Sequence, residues 1–173
     1  MEKVILVDEE DRMLGTAEKL AAHRDGGQLH RAFSIFIFDG PGRMLLQQRA
    51  AAKYHFGGKW TNACCGHPRP GEDLLQAARR RLCEEMGFQT ELRRVLAFVY
   101  SARDEAAGLT EREFDHVLVG RFDGEPRADP AEIAAIRWMT RDELERDLSA
   151  RAEAYTPWFA DAYARLAAGA LLP

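Results

Sequence analysis

From Glu72 to Met86 the apolar side chains fall at Leu74, Leu75, Ala78, Leu82 and Met86, three and four residues apart, and Gly87 follows. That spacing lays one apolar stripe along a helix, and a glycine just past its end supplies the left-handed stop that helices use. A helix with a single apolar face needs a surface to cover, and the flanking segments read as strands. Ala32–Phe38 (AFSIFIF) is rich in β-branched and aromatic residues, and Asp39-Gly40-Pro41-Gly42 separates it from MLLQQR as a hairpin turn. Val4–Val7, Leu92–Tyr100, Phe114–Phe122 and Ile136–Met139 read as further strands. Thr140-Arg141-Asp142-Glu143 is a capping box that opens a helix. Thr156-Pro157 opens the last helix, with Trp158, Ala162 and Leu166 on one face. Strands outnumber helices and hairpins mix with crossovers, so the expected class is α/β, a mixed β-sheet with helices packed on it.

The 173 residues, 46% hydrophobic and 30% charged, fit a single domain spanning 1–173 at about 150 residues per domain. The apolar run Val4–Val7 is shorter than the roughly seven residues a secretion signal needs, and no stretch approaches the roughly 18 of a membrane span. A cytoplasmic protein without a membrane partner is expected. Of three cysteines, Cys64 and Cys65 are adjacent, which favours free thiols over a disulfide. The net charge of −4 argues against nucleic acid as a partner. Between Gly40 and Gly71, however, lie Arg43, Arg49, Lys53, Lys59 and Arg69 and no acidic residue. Such a stretch in an acidic chain is either the recognition site of a small anion or a solvated basic loop.

Cys65 stands two residues before His67, in a turn leading into the Glu72 helix. A thiol near a helix N-terminus and cationic groups is more acidic, which suits a nucleophile or an acid–base group; the alternative is an inert buried cysteine, the reading that fits Cys64. His23 and His30 flank the loop RDGGQL, and Glu111 and Glu113, one residue apart, share a strand face. With His67 they make three imidazoles and two carboxylates. That set suits a divalent ion of intermediate hardness, Mn²⁺, Zn²⁺ or Mg²⁺, in six-coordination. Spacing alone does not bring these residues together, and independent histidines are the alternative. From Gly66 the chain reads G-x5-E-x7-R-R-L-C-E-E-M-G-F, through Glu72, Arg80, Arg81, Glu84, Glu85 and Gly87. This resembles the Nudix box, G-x5-E-x7-R-E-U-x-E-E-x-G-U, whose helix turns its glutamates toward a Mg²⁺–diphosphate. Arg81 replaces a glutamate of that pattern, four residues before Glu85 and on the same helical face. The exchange removes charge needed to gather several Mg²⁺ ions for hydrolysis and adds a fork that holds phosphate.

Together with EKLAAH, LHRAFS, QQRAAAK, WTNACCGHP, TEREFDHV and TPW, the sequence resembles the type 1 isopentenyl-diphosphate isomerases from about Lys19 to Trp158. The resemblance implies the Nudix fold, an α/β arrangement with a mixed β-sheet sandwiched between α-helices. It implies an enzyme that interconverts isopentenyl and dimethylallyl diphosphate, a small-molecule substrate, and a monomer or homodimer. It places a metal at His23, His30, His67, Glu111 and Glu113, and a second ion, Mg²⁺ bridging the diphosphate, at Glu85 and the backbone carbonyl of Cys65. Lys19, Arg49, Lys53 and Arg81 match the diphosphate grip, and Cys65 and Glu113 the acid–base pair. Tyr100 corresponds to the tyrosine that hydrogen-bonds that carboxylate, and Trp158 to an aromatic face against the carbocation. The competing readings are a Nudix diphosphohydrolase acting on nucleotides and a non-catalytic metal-binding module. A thiol redox protein is disfavoured by the lack of a Cys-x-x-Cys spacing. The apolar tail Leu166–Leu172 either caps the core or joins subunits.

Overall fold

The structure is a computed structural model describing residues 2–53 and 55–172. Its centre is β3 (His30–Phe38), which extends the expected strand back to His30. One edge of β3 pairs in parallel along its whole length with β8 (Leu109–Arg121), from His30↔Glu113 to Phe38↔Arg121. The other edge is shared out in turn: Leu6 of β1 (Lys3–Val7) lies opposite His30, β6 (Cys64–Gly66) opposite Phe33 to Ile35, and β4 (Met44–Arg49) opposite Ile37 and Phe38. The expected Gly/Pro hairpin therefore forms, but β3 and β4 part after two residue pairs. Around this centre, β2 (Met13–Glu18) pairs with β1, while β5 (Trp60–Asn62) and β9 (Ile133–Met139) pair with β4, and β7 (Leu92–Asp104) pairs with β8. One parallel and several antiparallel pairs make the sheet mixed, as expected.

The alternation of side chains along β3 explains its unbroken apolar run. Phe33, Ile35 and Ile37 point into a core with Ala77, Ala78, Leu82 and Met86 of α2 (Leu74–Met86), whereas Phe36 and Phe38 point into a second core with Phe159, Ala162 and Leu166 of α4 (Pro157–Ala168). A strand covered on both faces carries apolar residues on both. The helix expected from Glu72 begins at Leu74, because the Asp73 carboxylate accepts from the amides of Leu75 and Gln76 and so caps it. Glu72 stays in the preceding turn, where it accepts from the Arg69 amide and the Arg80 guanidinium. At the far end Gly87 has φ of 72°, and a β-carbon there would meet the Arg127 carbonyl at 2.8 Å. Only glycine meets both demands. The capping box opens α3 (Arg141–Ala150) as expected. The tail caps the core: Leu166 is fully buried, and Leu171 and Leu172 pack against the α4-side core.

Candidate active site

Strand register assembles the site. β8 puts Glu113 beside His30 of β3 on one edge and Tyr100 of β7 on the other, and Cys65 of β6 lies opposite Ser34 of β3. β7 runs past Tyr100 to Asp104 and β8 starts at Leu109, so Tyr100 lies opposite Glu113 and Ala102 opposite Glu111. His23 ends the short helix α1 (Lys19–Ala22), whose N-terminus Glu18 caps, and the His23 carbonyl accepts from the Thr110 amide. That bond ties α1 to the start of β8.

His23, His30, His67, Glu111 and Glu113 are all buried, and one ligand atom from each lies within 4.8 Å of the others. His23 and His30 turn Nδ1 to the carbonyls of Lys19 at 2.6 Å and Gln28 at 2.8 Å. A carbonyl only accepts, so Nδ1 carries the hydrogen and Nε2 is the ring atom each histidine turns to the cluster. Those Nε2 atoms face Glu111 Oε2 at 2.9 Å and His67 Nε2 at 3.2 Å, and His67 Nε2 lies 2.8 Å from Glu113 Oε1. Three imidazole nitrogens and two carboxylate oxygens converging in one buried cluster are a donor set that fits a divalent metal. Burial pushes the His67 imidazole down to about 4 against the pull of Glu113, leaving it neutral as a ligand must be. Burial would raise Glu111, but His23 and His55 hold it well below the usual carboxylate range. Burial and Glu111 oppose ionisation of Glu113, and the imidazoles of His30 and His67 outweigh them.

Beside this cluster, Cys65 Sγ lies within 3.3 Å of both polar side-chain atoms of Asn62 and 3.6 Å from the hydroxyl of Ser34, which donates to Asp115 at 2.8 Å. Burial and the nearby Asp115 push the Cys65 thiol up to about 12, so it stays protonated near neutrality. The acidic thiol that helix and cation proximity suggested does not form, because desolvation outweighs both. Tyr100 donates to Glu113 Oε2, and burial and Glu113 hold its hydroxyl well above the ordinary range. Trp158, in the first turn of α4, packs edge-on to Phe56 with centroids 5.3 Å apart.

Cys65, His67, Tyr100, Glu111, Glu113 and Trp158 border one cleft, together with Lys19, Arg49, Lys53, Arg81 and Glu85. Lys19 pairs with Glu2 at 3.0 Å, Lys53 with Glu132, and Arg81 with Glu85 and, at 2.7 Å, with Glu84. Arg49 is buried with its guanidinium 5.5 Å from the Trp158 ring, and it has no carboxylate partner among the described residues. Every site residue expected from the sequence therefore reaches this cleft or the cluster at its base. Sequence reasoning missed His55, Asn62, Ser34, Asp115 and Glu132. Asp115 had a signal, since Glu111, Glu113 and Asp115 alternate on one strand face; the others had none.

A mixed sheet between helices, with a glycine-led helix presenting carboxylates and a guanidinium to a cationic cleft, defines a Nudix-type protein, and the NUDIX domain family matches residues 28–159. A crystal structure of a Deinococcus radiodurans protein overlays with a TM-score of 0.70 at 23% identity, covering 86% of this chain and 90% of that one, and so shares the fold. The isopentenyl-diphosphate Delta-isomerase of Burkholderia multivorans is 57% identical over 158 residues, covering 91% of this chain and 89% of the relative. That of Halorhodospira halophila is 51% identical over 160 residues, covering 92% and 91%. The chain belongs to the NUDIX family and, within it, to the isopentenyl-diphosphate Delta-isomerases.

Proposed function

We propose that this chain, working as one domain in the cytoplasm, interconverts isopentenyl and dimethylallyl diphosphate for isoprenoid biosynthesis. Its partner is the small diphosphate, not nucleic acid or membrane; no helix among the described residues is long and apolar enough to cross one. The observation that carries the reading is a half-buried thiol, Cys65, and a buried carboxylate, Glu113, bordering the same cleft as four cationic side chains.

His23, His30, His67, Glu111 and Glu113 would hold Mn²⁺, Zn²⁺ or Mg²⁺, and Glu85 with the Cys65 carbonyl a diphosphate-bound Mg²⁺; such ions supply charge that orients Glu113 and neutralises phosphate. Lys19, Arg49, Lys53 and Arg81 grip the diphosphate. Arg49, buried without a carboxylate partner among the described residues, gains most from a phosphate oxygen. One member of the Cys65–Glu113 pair delivers a proton to the terminal alkene carbon, which makes a tertiary cation. The other removes one from the carbon next to the diphosphate-bearing carbon. Tyr100, kept a neutral phenol, donates to Glu113 and fixes its orientation. Trp158, 3% exposed, offers a dry aromatic face worth about 2 kcal/mol or more to a cation and helps exclude the water that would trap it. Arg81 stands where the Nudix pattern has a glutamate, and the loss of that carboxylate disfavours the multi-metal water activation of hydrolysis. Incubation with isopentenyl diphosphate and Mg²⁺ should give an acid-labile allylic product; phosphate release in its place would overturn the reading.

A further inference from the structure

Each carboxylate of the buried cluster turns one oxygen inward to the histidines and the other outward to a second donor. Glu113 Oε1 faces His67 Nε2 at 2.8 Å and His30 Nε2 at 3.5 Å, while Oε2 accepts from the Tyr100 hydroxyl. Glu111 repeats the pattern: Oε2 faces His23 Nε2 at 2.9 Å, and Oε1 meets Nε2 of His55. His55 is buried, its ring edge-on to Phe56 with centroids 5.6 Å apart and 6.2 Å from that of Trp158. The backbone that carries it is fastened at two points. The His55 carbonyl accepts from Arg49 Nη2 at 3.1 Å, and the Phe56 amide donates to Asp104 Oδ2 at 2.7 Å. The imidazole therefore reaches Glu111 with little freedom to move away.

A ligating carboxylate with both oxygens free swings between one-oxygen and two-oxygen coordination, and an N–H donor on its outer oxygen removes that freedom. We propose that His55 is a positioning residue that restricts Glu111 to one ligating oxygen, as Tyr100 does for Glu113. The cluster would then present five protein atoms, one from each residue, to a divalent ion. The proposal rests on reading the cluster as a divalent-metal site, and the test separates the two.

Metal-free full-length protein is titrated with Mn²⁺, with affinity read by competition against a fluorescent chelator and coordination read from the Mn²⁺ electron paramagnetic resonance spectrum. If the unsubstituted protein fails to bind Mn²⁺, the metal-site reading itself falls. If it binds, His55→Phe, which keeps ring packing and loses the donor, should weaken binding about 10- to 100-fold and alter the spectrum. His55→Gln, which keeps an N–H donor, should stay within about threefold of the unsubstituted protein on the same reasoning. Melting of the metal-free variants should match that of the parent. Equal affinity for the parent and the Phe variant overturns the proposal, and so does an equal loss in the Phe and Gln variants. Should the Phe variant fail to fold, His55→Ala takes its place under the same criteria.

Discussion

The two faces of β3 and β8 obey one alternation and serve opposite ends. On the α2 face, Phe33, Ile35, Ile37 and Leu118 meet Ala77, Ala78, Leu82 and Met86, and burial of apolar surface stabilises the arrangement. On the other face, Phe36 and Val117 sit under α4, but toward the far end of the same strands the inward positions are His30, Ser34, Glu113 and Asp115. Desolvating such groups costs several kcal/mol per ion, which their mutual pairing offsets and a bound cation would offset further. Cys64 and Cys65 give the contrast at its closest. They are neighbours on β6, yet Cys64 belongs to the α2-side core and Cys65 packs against the α4-side core beside Asn62. The α2 face is apolar along these strands, whereas the other face carries both a core and, at one end, the polar cluster.

The largest expected effect tests that contrast directly. Cys65→Ser should cut turnover by about 10²- to 10⁴-fold, the usual worth of a placed acid–base group, and leave the melting temperature within a degree or so of the parent. Cys64→Ser should do the reverse. It puts a hydroxyl into an apolar layer at a cost of about 1–3 kcal/mol, read by urea unfolding, while turnover per folded molecule holds. Loss of turnover in both variants would mean that the faces are not separate. Next in size, Leu82→Ala should cost about 2–5 kcal/mol of stability, because it opens a cavity under β3, with KM unchanged.

Removing metal should act on the other face alone. Stripping divalent ions with a chelator should remove the stabilisation that a metal bound to the converging imidazole and carboxylate atoms would give. Calorimetry should show melting lowered by the equivalent of about 2.7 kcal/mol relative to protein at a hundredfold excess of metal over Kd, recovered on adding Mn²⁺. If Leu82→Ala protein lost the same increment on chelation, the two faces would be contributing additively. A smaller increment would expose coupling through β3.

The elements themselves were legible wherever periodicity is local: the α2 stripe with Gly87, the capping box of α3, and the Pro157 start of α4. The side chains of the site were legible by type, since three imidazoles and two carboxylates carry their own chemistry. Their meeting was not. The parallel pairing of β3 with β8 joins segments separated by much of the chain, and no local pattern encodes that register. β2, β5 and β6 escaped for a related reason, being short strands whose pairing rather than composition defines them. His55 was hidden because a lone histidine in a basic loop says nothing until the fold brings Glu111 to it.

The smallest prediction concerns the α4 side away from the cluster. Thr140 caps α3 by accepting from the Glu143 amide at 3.4 Å, and the Glu143 carboxylate returns the bond to the Thr140 amide at 2.8 Å. α3 is fastened to the same core as Trp158 through Leu144, which is 1% exposed. The hydroxyl contact is long for a hydrogen bond, so Thr140→Ala should cost about 0.5 kcal/mol, the low end of the range for lost caps. Denaturant unfolding should register that small shift, while kcat and the Mn²⁺ affinity hold. A fall in kcat with binding unchanged would mean that α3 helps to seat Trp158 through the shared core, and the boundary between stability and chemistry would then run through the α4 face as well as between the two faces.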